Sequence, residues 1–445
     1  MKILIAGAGE VGTHLAKLLQ QEDHDITLMD GDKERLDTIR DYPDILTAVG
    51  NCTSLTNLKE AGVENSDLFI GVTPEESRNI TACMLAANLG VKKTLARIDN
   101  YEYLLPANRE FFSKLGIHSM VYPEMMAARE IASAIKAPWS RVWWELSNGL
   151  VILSAAKVRK NASVVNKQLK EFTNISKKFH IVAIKRADQT LIPTGNDYIL
   201  PNDILYFTAL KKEIDTLPEL LGKTTFETKN IMFMGGSHIT MKAVQQLPSG
   251  INIKIIERDR ERAEKLVEVA PSNVTVFWGD GRDTELLLTE GITDMDAFVS
   301  LTGNSEANIL SCIMAKQFGV KKTIAEVENI DYINMAESFD IGTVINKKLL
   351  AASKIYEILL QADASNIKCL TFSGANVGEV TAKEHSKVTR KLIKDLKLPN
   401  DITFGALIRN GEPMLIDGET QIEPNDRVMV FFMNKSLKTI ESYFN

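Results

Sequence analysis

Residues 2–30 read KILIAGAGEVGTHLAKLLQQEDHDITLMD, and no other stretch restricts the fold as tightly. Ile3, Leu4, Ile5 and Ala6 make an apolar run long enough for a buried strand. Gly7, Gly9 and Gly12 follow at G-x-G-x-x-G spacing, and Val11, Leu15, Leu18 and Leu19 then recur on one helical face. A second short apolar run, Ile26 to Met29, ends on Asp30. Strand, glycine turn, helix, strand and acid in that order predict a dinucleotide-binding unit.

Each residue has a physical task in that reading. Gly7 allows the tight turn out of the strand. Gly9 lacks a Cβ, so a pyrophosphate can approach the free N–H groups and the positive dipole end of the helix. Gly12 lets the helix lie close on the sheet. Asp30 stands 18 residues beyond Gly12 (30 − 12), near the roughly 20 expected of a carboxylate that binds ribose hydroxyls. A carboxylate there repels a 2′-phosphate, which favours NAD or an adenosine phosphate over NADP.

Further alternation of strands and helices follows, through Ile45–Val49, Leu68–Val72, a helix near 76–89, and Leu95–Ile98. That pattern predicts a parallel sheet covered on both faces. Candidate ligand contacts lie where such strands end: Asn51, Cys52 and Thr53 after the third, Thr73 after the fourth, and Arg97 within the fifth. A cation in an apolar strand is costly unless paired. Either a phosphate or a nearby acid can pair Arg97. From Arg141 to Phe207 the chain is strand-rich, with turn signals at Asn148-Gly149, Thr194-Gly195 and Pro201-Asn202-Asp203, which predicts a smaller α+β domain.

The whole arrangement then restarts. Gly235 matches Gly7 at an offset of 228 (235 − 7), and Gly90-Val-Lys-Lys-Thr94 recurs letter for letter as Gly319-Val-Lys-Lys-Thr323. Pro201-Asn-Asp203 returns as Pro424-Asn-Asp426. The predicted fold is α/β, a tandem duplication of a Rossmann-like parallel-sheet domain followed by a small α+β domain. The expected boundaries are 1–138, 139–222, 229–362 and 363–445. The second glycine loop is not a copy: Ser237 and Thr240 stand where Gly9 and Gly12 stood, Glu257 replaces Asp30, and Glu326 replaces Arg97. These changes predict lost or weakened dinucleotide binding in the second half. Cys83 and Cys312 share an offset of 229 (312 − 83) on equivalent helix faces, so both are expected in the core.

Composition narrows the function. Lys plus Arg number 52 and Asp plus Glu 58, giving a net charge of −6 with no basic run, so nucleic acid is a poor partner. No apolar run approaches the 18 residues of a membrane span, and the chain enters a strand without a signal-peptide pattern. Four cysteines lack metal or disulfide spacing. A cytoplasmic protein with reduced thiols is expected. A dehydrogenase needs an acid or base beside the nicotinamide. None of the six histidines, at 14, 24, 118, 180, 238 and 385, lies in a recognisable catalytic motif.

AGAGEVGTHLAKLL, Asp30, the GNCT of Gly50–Thr53, and VTPEESRNITACMLAANLG from Val72 together resemble the TrkA family. These are the regulators of Trk-type potassium uptake, and the doubled domain order resembles their tandem RCK domains. The resemblance covers essentially the whole chain. It implies a cytosolic regulatory subunit without catalytic turnover, peripheral on the inner face of the membrane through its partner. It further implies a homo-oligomeric, tetrameric ring that binds NAD(H), ATP or ADP and gates an integral membrane potassium transporter subunit. On this chain the phosphate turn would be Gly7, Gly9, Glu10, Val11 and Gly12, the ribose acid Asp30, the adenine-side loop Asn51, Cys52 and Thr53, and the phosphate-facing arginine Arg97. Asp99 departs from the pattern, where relatives often carry a second basic residue. An NAD-dependent oxidoreductase and a regulator of another cation transporter are the alternatives.

Overall fold

The computed structural model describes residues 1–20, 24–39, 41–172, 178–187, 189–360, 367–370, 375–433 and 437–444. The expected boundary at 362/363 lies outside them. The first six strands form a parallel sheet in the order Ile45–Val49, Asp25–Asp30, Lys2–Ala6, Leu68–Gly71, Lys93–Arg97, Ser119–Val121. The chain runs outward on one side of Lys2–Ala6, then crosses and runs outward on the other. This is the strand order of a dinucleotide-binding sheet, and the crossing point sits beside the glycine loop. Residues 230–345 repeat it in the order Val274–Trp278, Asn252–Glu257, Asn230–Met234, Ala297–Ser300, Lys322–Glu326, Thr343–Ile345.

Both central strands are apolar on both faces because helices cover both. Ile3, Leu4, Ile5 and Ala6 are buried, as are Ile231, Met232, Phe233 and Met234. Cys83 and Cys312 are wholly buried, each with its thiol on a strand carbonyl, Leu95 O at 3.3 Å and Ile324 O at 3.4 Å. Burial raises both thiols, Cys312 to about 12. They are packing residues, as their shared offset predicts.

The small domains are five-stranded antiparallel sheets. The first runs Gln189–Leu191, Phe179–Arg186, Ile204–Leu210, Val151–Lys157, Val142–Leu146. The second runs Ile367–Leu370, Ala375–Thr381, Arg427–Met433, Ile402–Arg409, Glu412–Leu415. Their faces share one core, with Leu153, Val182 and Tyr206 against Val377, Ala406 and Phe431. The repeated Pro-Asn-Asp turn has a specific task in both. Asn202 and Asn425 take left-handed φ of 73° and 71°, and the aspartate behind each accepts a bidentate arginine. Arg186 holds Asp203 at 2.9 and 2.8 Å, and Arg409 holds Asp426 at 3.0 and 2.7 Å.

The chain divides into two compact units, and one helix is displaced between the repeats. The helix Lys347–Leu360, last in the second Rossmann-like domain, belongs to the unit built from residues 1–126. There it packs along the first helix, Glu10–Gln20, and Lys348 Nζ meets Glu10 at 2.8 Å. Leu349, Ala352, Ile355, Tyr356 and Leu359 form its buried stripe. Its counterpart, Pro123–Lys136, enters the other unit from Ala127 onward, where Trp144 Nε1 donates to Glu130 at 2.9 Å. Among the described residues, no helix is long and apolar enough to cross a membrane.

Candidate nucleotide site

The first glycine loop has the geometry its sequence demands. Gly7 sits at φ 116°, and a Cβ there would stand 2.9 Å from Thr73 N. A Cβ on Gly12 would lie 1.8 Å from Gly7 O, so only glycine lets the helix seat on the loop. Gly9 differs. A Cβ there would meet nothing within 4 Å, so the space beside its backbone is open. Glu10 and Val11 begin the helix, Glu10 exposed and Val11 buried under it. Packing dictates two glycines, and the third keeps an approach clear.

Asp30 is more than a free acid at a strand end. Its Oδ2 accepts the Ala8 N–H at 2.7 Å and its Oδ1 accepts Asp32 N–H at 2.9 Å. The carboxylate therefore braces the glycine loop. Each oxygen keeps a further lone pair, which leaves capacity for ribose hydroxyls.

The loop after the third strand turns on Asn51, whose Oδ1 accepts both Thr53 N–H at 3.0 Å and Thr53 Oγ–H at 2.9 Å. Asn51 is exposed, whereas Cys52 is buried in the core with Leu58 and Phe69. Burial pushes the Cys52 thiol up.

Thr73 and Arg97 are joined by a residue that the sequence reading missed, Asn79. Its side chain is wholly buried. Its Oδ1 accepts Thr73 N–H at 2.8 Å and Thr73 Oγ–H at 2.7 Å, while its Nδ2 donates to Thr73 O and to Arg97 O at 3.0 Å each. Asn308 forms the same lock on Thr302 and on Glu326 O in the second half. A lone polar residue on a buried helix face, repeated at an offset of 229 (308 − 79), was the available signal.

Arg97 is only partly satisfied. Its terminal nitrogen lies 3.8 Å from Asp99 and 3.5 Å from Glu124, both beyond good hydrogen-bond length. Its buried Nε has no hydrogen-bond partner, nor has the buried Oε2 of Glu124. Such groups cost about 1–3 kcal/mol each when left unmade. An anionic ligand would satisfy the guanidinium. The open approach at Gly9 and this orphaned Nε both fit an adenine nucleotide.

The second glycine loop is built differently. The Ser237 hydroxyl turns back as helix cap and accepts Thr240 N–H at 3.4 Å. Thr240 replaces Gly12 by donating its hydroxyl to Gly235 O at 2.6 Å. Glu257 braces this loop as Asp30 braces the first, accepting Gly236 N–H at 2.7 Å and Asp259 N–H at 2.8 Å. A cleft of about 360 Å³ therefore stays open here, with Arg258, Arg262 and Arg282 in its wall. Arg282 grips Asp280 at 3.0 and 2.6 Å and holds that carboxyl down to about 2. Arg262 lies on the helix Arg260–Val269, 3.7 Å from Glu257, while Arg258 and Arg282 come from the loops.

Comparison with known proteins agrees with this architecture. The TrkA-N domain family matches residues 3–123 and 231–347, and the TrkA-C domain family matches 153–222 and 377–445. The Trk system potassium uptake protein TrkA of Vibrio alginolyticus is 31% identical, over 100% of this chain and 98% of that protein. The protein of the same name from Haemophilus influenzae is 29% identical over the same shares. The fold is that of the GsuK RCK domain, with a TM-score of 0.62 at 15% identity over 100% of this chain and 94% of that one. The GsuK channel bound to NAD superposes with a TM-score of 0.62 at 14% identity, over 100% and 78%. With both domain types matched twice along its length, this chain belongs to the TrkA family of Trk system potassium uptake proteins.

Proposed function

We propose that this chain is a cytosolic regulatory subunit of a potassium uptake transporter, which binds NAD(H), ATP or ADP and couples the bound state to gating of an integral membrane, Trk-type subunit. The observation that carries the reading is the first loop, where Gly9 leaves a clear approach and Arg97 Nε lacks a partner. Gly7, Gly9, Glu10, Val11 and Gly12 would line the phosphates, Asp30 the ribose, Asn51, Cys52 and Thr53 the adenine edge, and Thr73 and Arg97 the second phosphate side. The nucleotide supplies differential binding between two conformations, which is what a regulator needs. A tetrameric ring peripheral to the membrane fits the family, and the GsuK structures bound to NAD and to ADP support the ligand class.

The second cleft would take an anion through Arg258, Arg262 and Arg282, so the halves differ in how they attract charge. The match to Trk system potassium uptake proteins supports a regulator over an oxidoreductase. Calorimetry with NADH, NAD, ATP and ADP tests the first site, and Gly9→Glu should abolish binding there. Steady, protein-dependent loss of NADH absorbance with small keto acids would reverse the choice between regulator and enzyme. Copurification with a membrane potassium transporter tests the partner.

A further inference from the structure

Positive charge is concentrated around Asp340. This residue follows the helix Asp331–Ser338 and holds a left-handed φ of 55°. Its carboxylate accepts Arg141 at 2.7 Å and Arg159 at 2.7 Å, with Lys157 at 3.7 Å and Lys316 at 3.6 Å. Lys316 also donates to the Asp340 carbonyl. Behind them, Lys322 Nζ donates to Ser140 O at 2.7 Å and Thr343 Oγ1 at 2.9 Å, and Lys223 Nζ donates to Trp139 O. Four cationic side chains, Arg141, Arg159, Lys157 and Lys316, thus face one carboxylate. Glu337, three residues earlier, is engaged by Lys185 at 2.6 Å.

The imbalance is physical, because these groups are withdrawn from water. The Arg141 side chain is 9% exposed, Lys157 14%, and Lys322 is wholly inside. Burial, then the neighbouring cations, lower Lys223 to about 7 and Lys322 well below its usual value. Burial alone would raise Asp340, but Lys316, Arg141, Arg159 and Lys157 outweigh it and hold the carboxyl well below the usual range. Buried charge is tolerated when paired, and one acid cannot fully pair the four bases Arg141, Arg159, Lys157 and Lys316. Donors are also left over. Lys157 carries three N–H groups and comes no nearer than 3.7 Å to its acid. Arg159, 46% exposed, opens the cluster to solvent.

We propose that this basic cluster binds a small tetrahedral dianion, inorganic phosphate or the phosphate of a monoester, seated on Arg159, Lys157 and Lys316. The site is separate from both glycine loops. Its ligands come from the first small domain (Lys157, Arg159) and the second Rossmann-like domain (Lys316), so an occupant would fasten these segments together.

The test uses the full chain at constant ionic strength, with ADP saturating so that nucleotide sites are filled. Calorimetry with inorganic phosphate should give one saturable site, and sulfate should compete for it. At ten times its dissociation constant, phosphate should raise the melting midpoint by roughly 3–6 °C. Arg159→Ala should weaken binding at least tenfold, and Lys157→Met gives the same readout if the first variant folds poorly. Lys394→Met, which removes an exposed pair with Glu419, should leave the phosphate affinity unchanged. Tighter binding of glycerol phosphate than of phosphate would identify a monoester as the preferred source. No saturable phosphate binding, or affinity unchanged in both Arg159→Ala and Lys157→Met, overturns the proposal.

Discussion

Asp30 and Ala8 are joined by a 2.7 Å hydrogen bond from the loop amide to the carboxylate, so the residue that would hold the ribose also fixes the phosphate turn. Ligand contact and loop geometry are therefore one quantity at this position. Asp30→Asn should separate them less cleanly than Asp30→Ala. Loss of a charged acceptor costs about 1.5–3 kcal/mol, which is roughly 10- to 150-fold in affinity. Calorimetry with NADH reads it. Affinity unchanged in Asp30→Ala rejects Asp30 as a ligand.

Ligand binding should stabilise the protein. At 100 times its dissociation constant, NADH, NAD, ATP or ADP should add about 2.7 kcal/mol, a rise of roughly 5–11 °C for a unit of 150–250 residues. A thermal-shift screen measures it, and silence toward every adenine nucleotide removes the site.

Asn79→Ala should be among the more damaging single changes. It leaves Thr73 N–H and the carbonyls of Thr73 and Arg97 without their partner in a buried place. About 2–4 kcal/mol of stability should be lost, read by urea denaturation. Nucleotide affinity should fall too, because the same side chain sets the ends of both strands. Wild-type stability in this variant would mean that water replaces the amide.

Lys223→Met should stabilise the protein near neutral pH. The folded pKa, about 7, lies below the usual lysine value of 10.5. The unfolded chain therefore binds more protons between pH 7 and 10, and stability rises with pH across that window. Below pH 7 the full cost of the buried ammonium is present. The substitution removes it, for a gain on the order of 1–4 kcal/mol in chloride buffer that fades toward pH 10. Urea midpoints at pH 6.5 and pH 10 decide the matter, and an equal change at both removes the titration argument.

His180 gives the opposite end of the pH range. Burial lowers it to about 4, from the usual 6.5. Its neutral form is accommodated above pH 6.5, and stability is lost as pH falls from there to 4. His180→Gln should flatten that acid limb in a pH series of thermal midpoints.

The sequence made the parallel sheets legible because their signals are local: apolar runs, glycine turns and acids at fixed distances. The duplication was legible in the letters themselves, and the Pro-Asn-Asp turn in its two copies. What escaped were features assembled across long separations. Nothing near Lys347 tells that its helix docks on residues 1–126, since an apolar stripe specifies burial without naming the surface that covers it. Asn79 was passed over as one polar letter in an apolar helix. Ser237 stands where Gly9 stood, and that its hydroxyl turns back to cap the helix is visible only in the structure. Arg258, Arg262 and Arg282 converge only after the loops of the second sheet are placed.

The displaced helix sets a timetable for synthesis. Residues 1–126 leave the ribosome early, but the helix that completes their unit ends at Leu360, a further 234 residues on (360 − 126). At about 5–20 residues per second the wait is roughly 12–47 s. During that interval the flank of the first helix, with Val11, Leu15 and Leu19 beneath it, lacks its final neighbour. A nascent chain stalled before residue 347 should therefore resist protease less well than one released after 360, and a gene split between the two repeats would yield a first half that cannot finish itself.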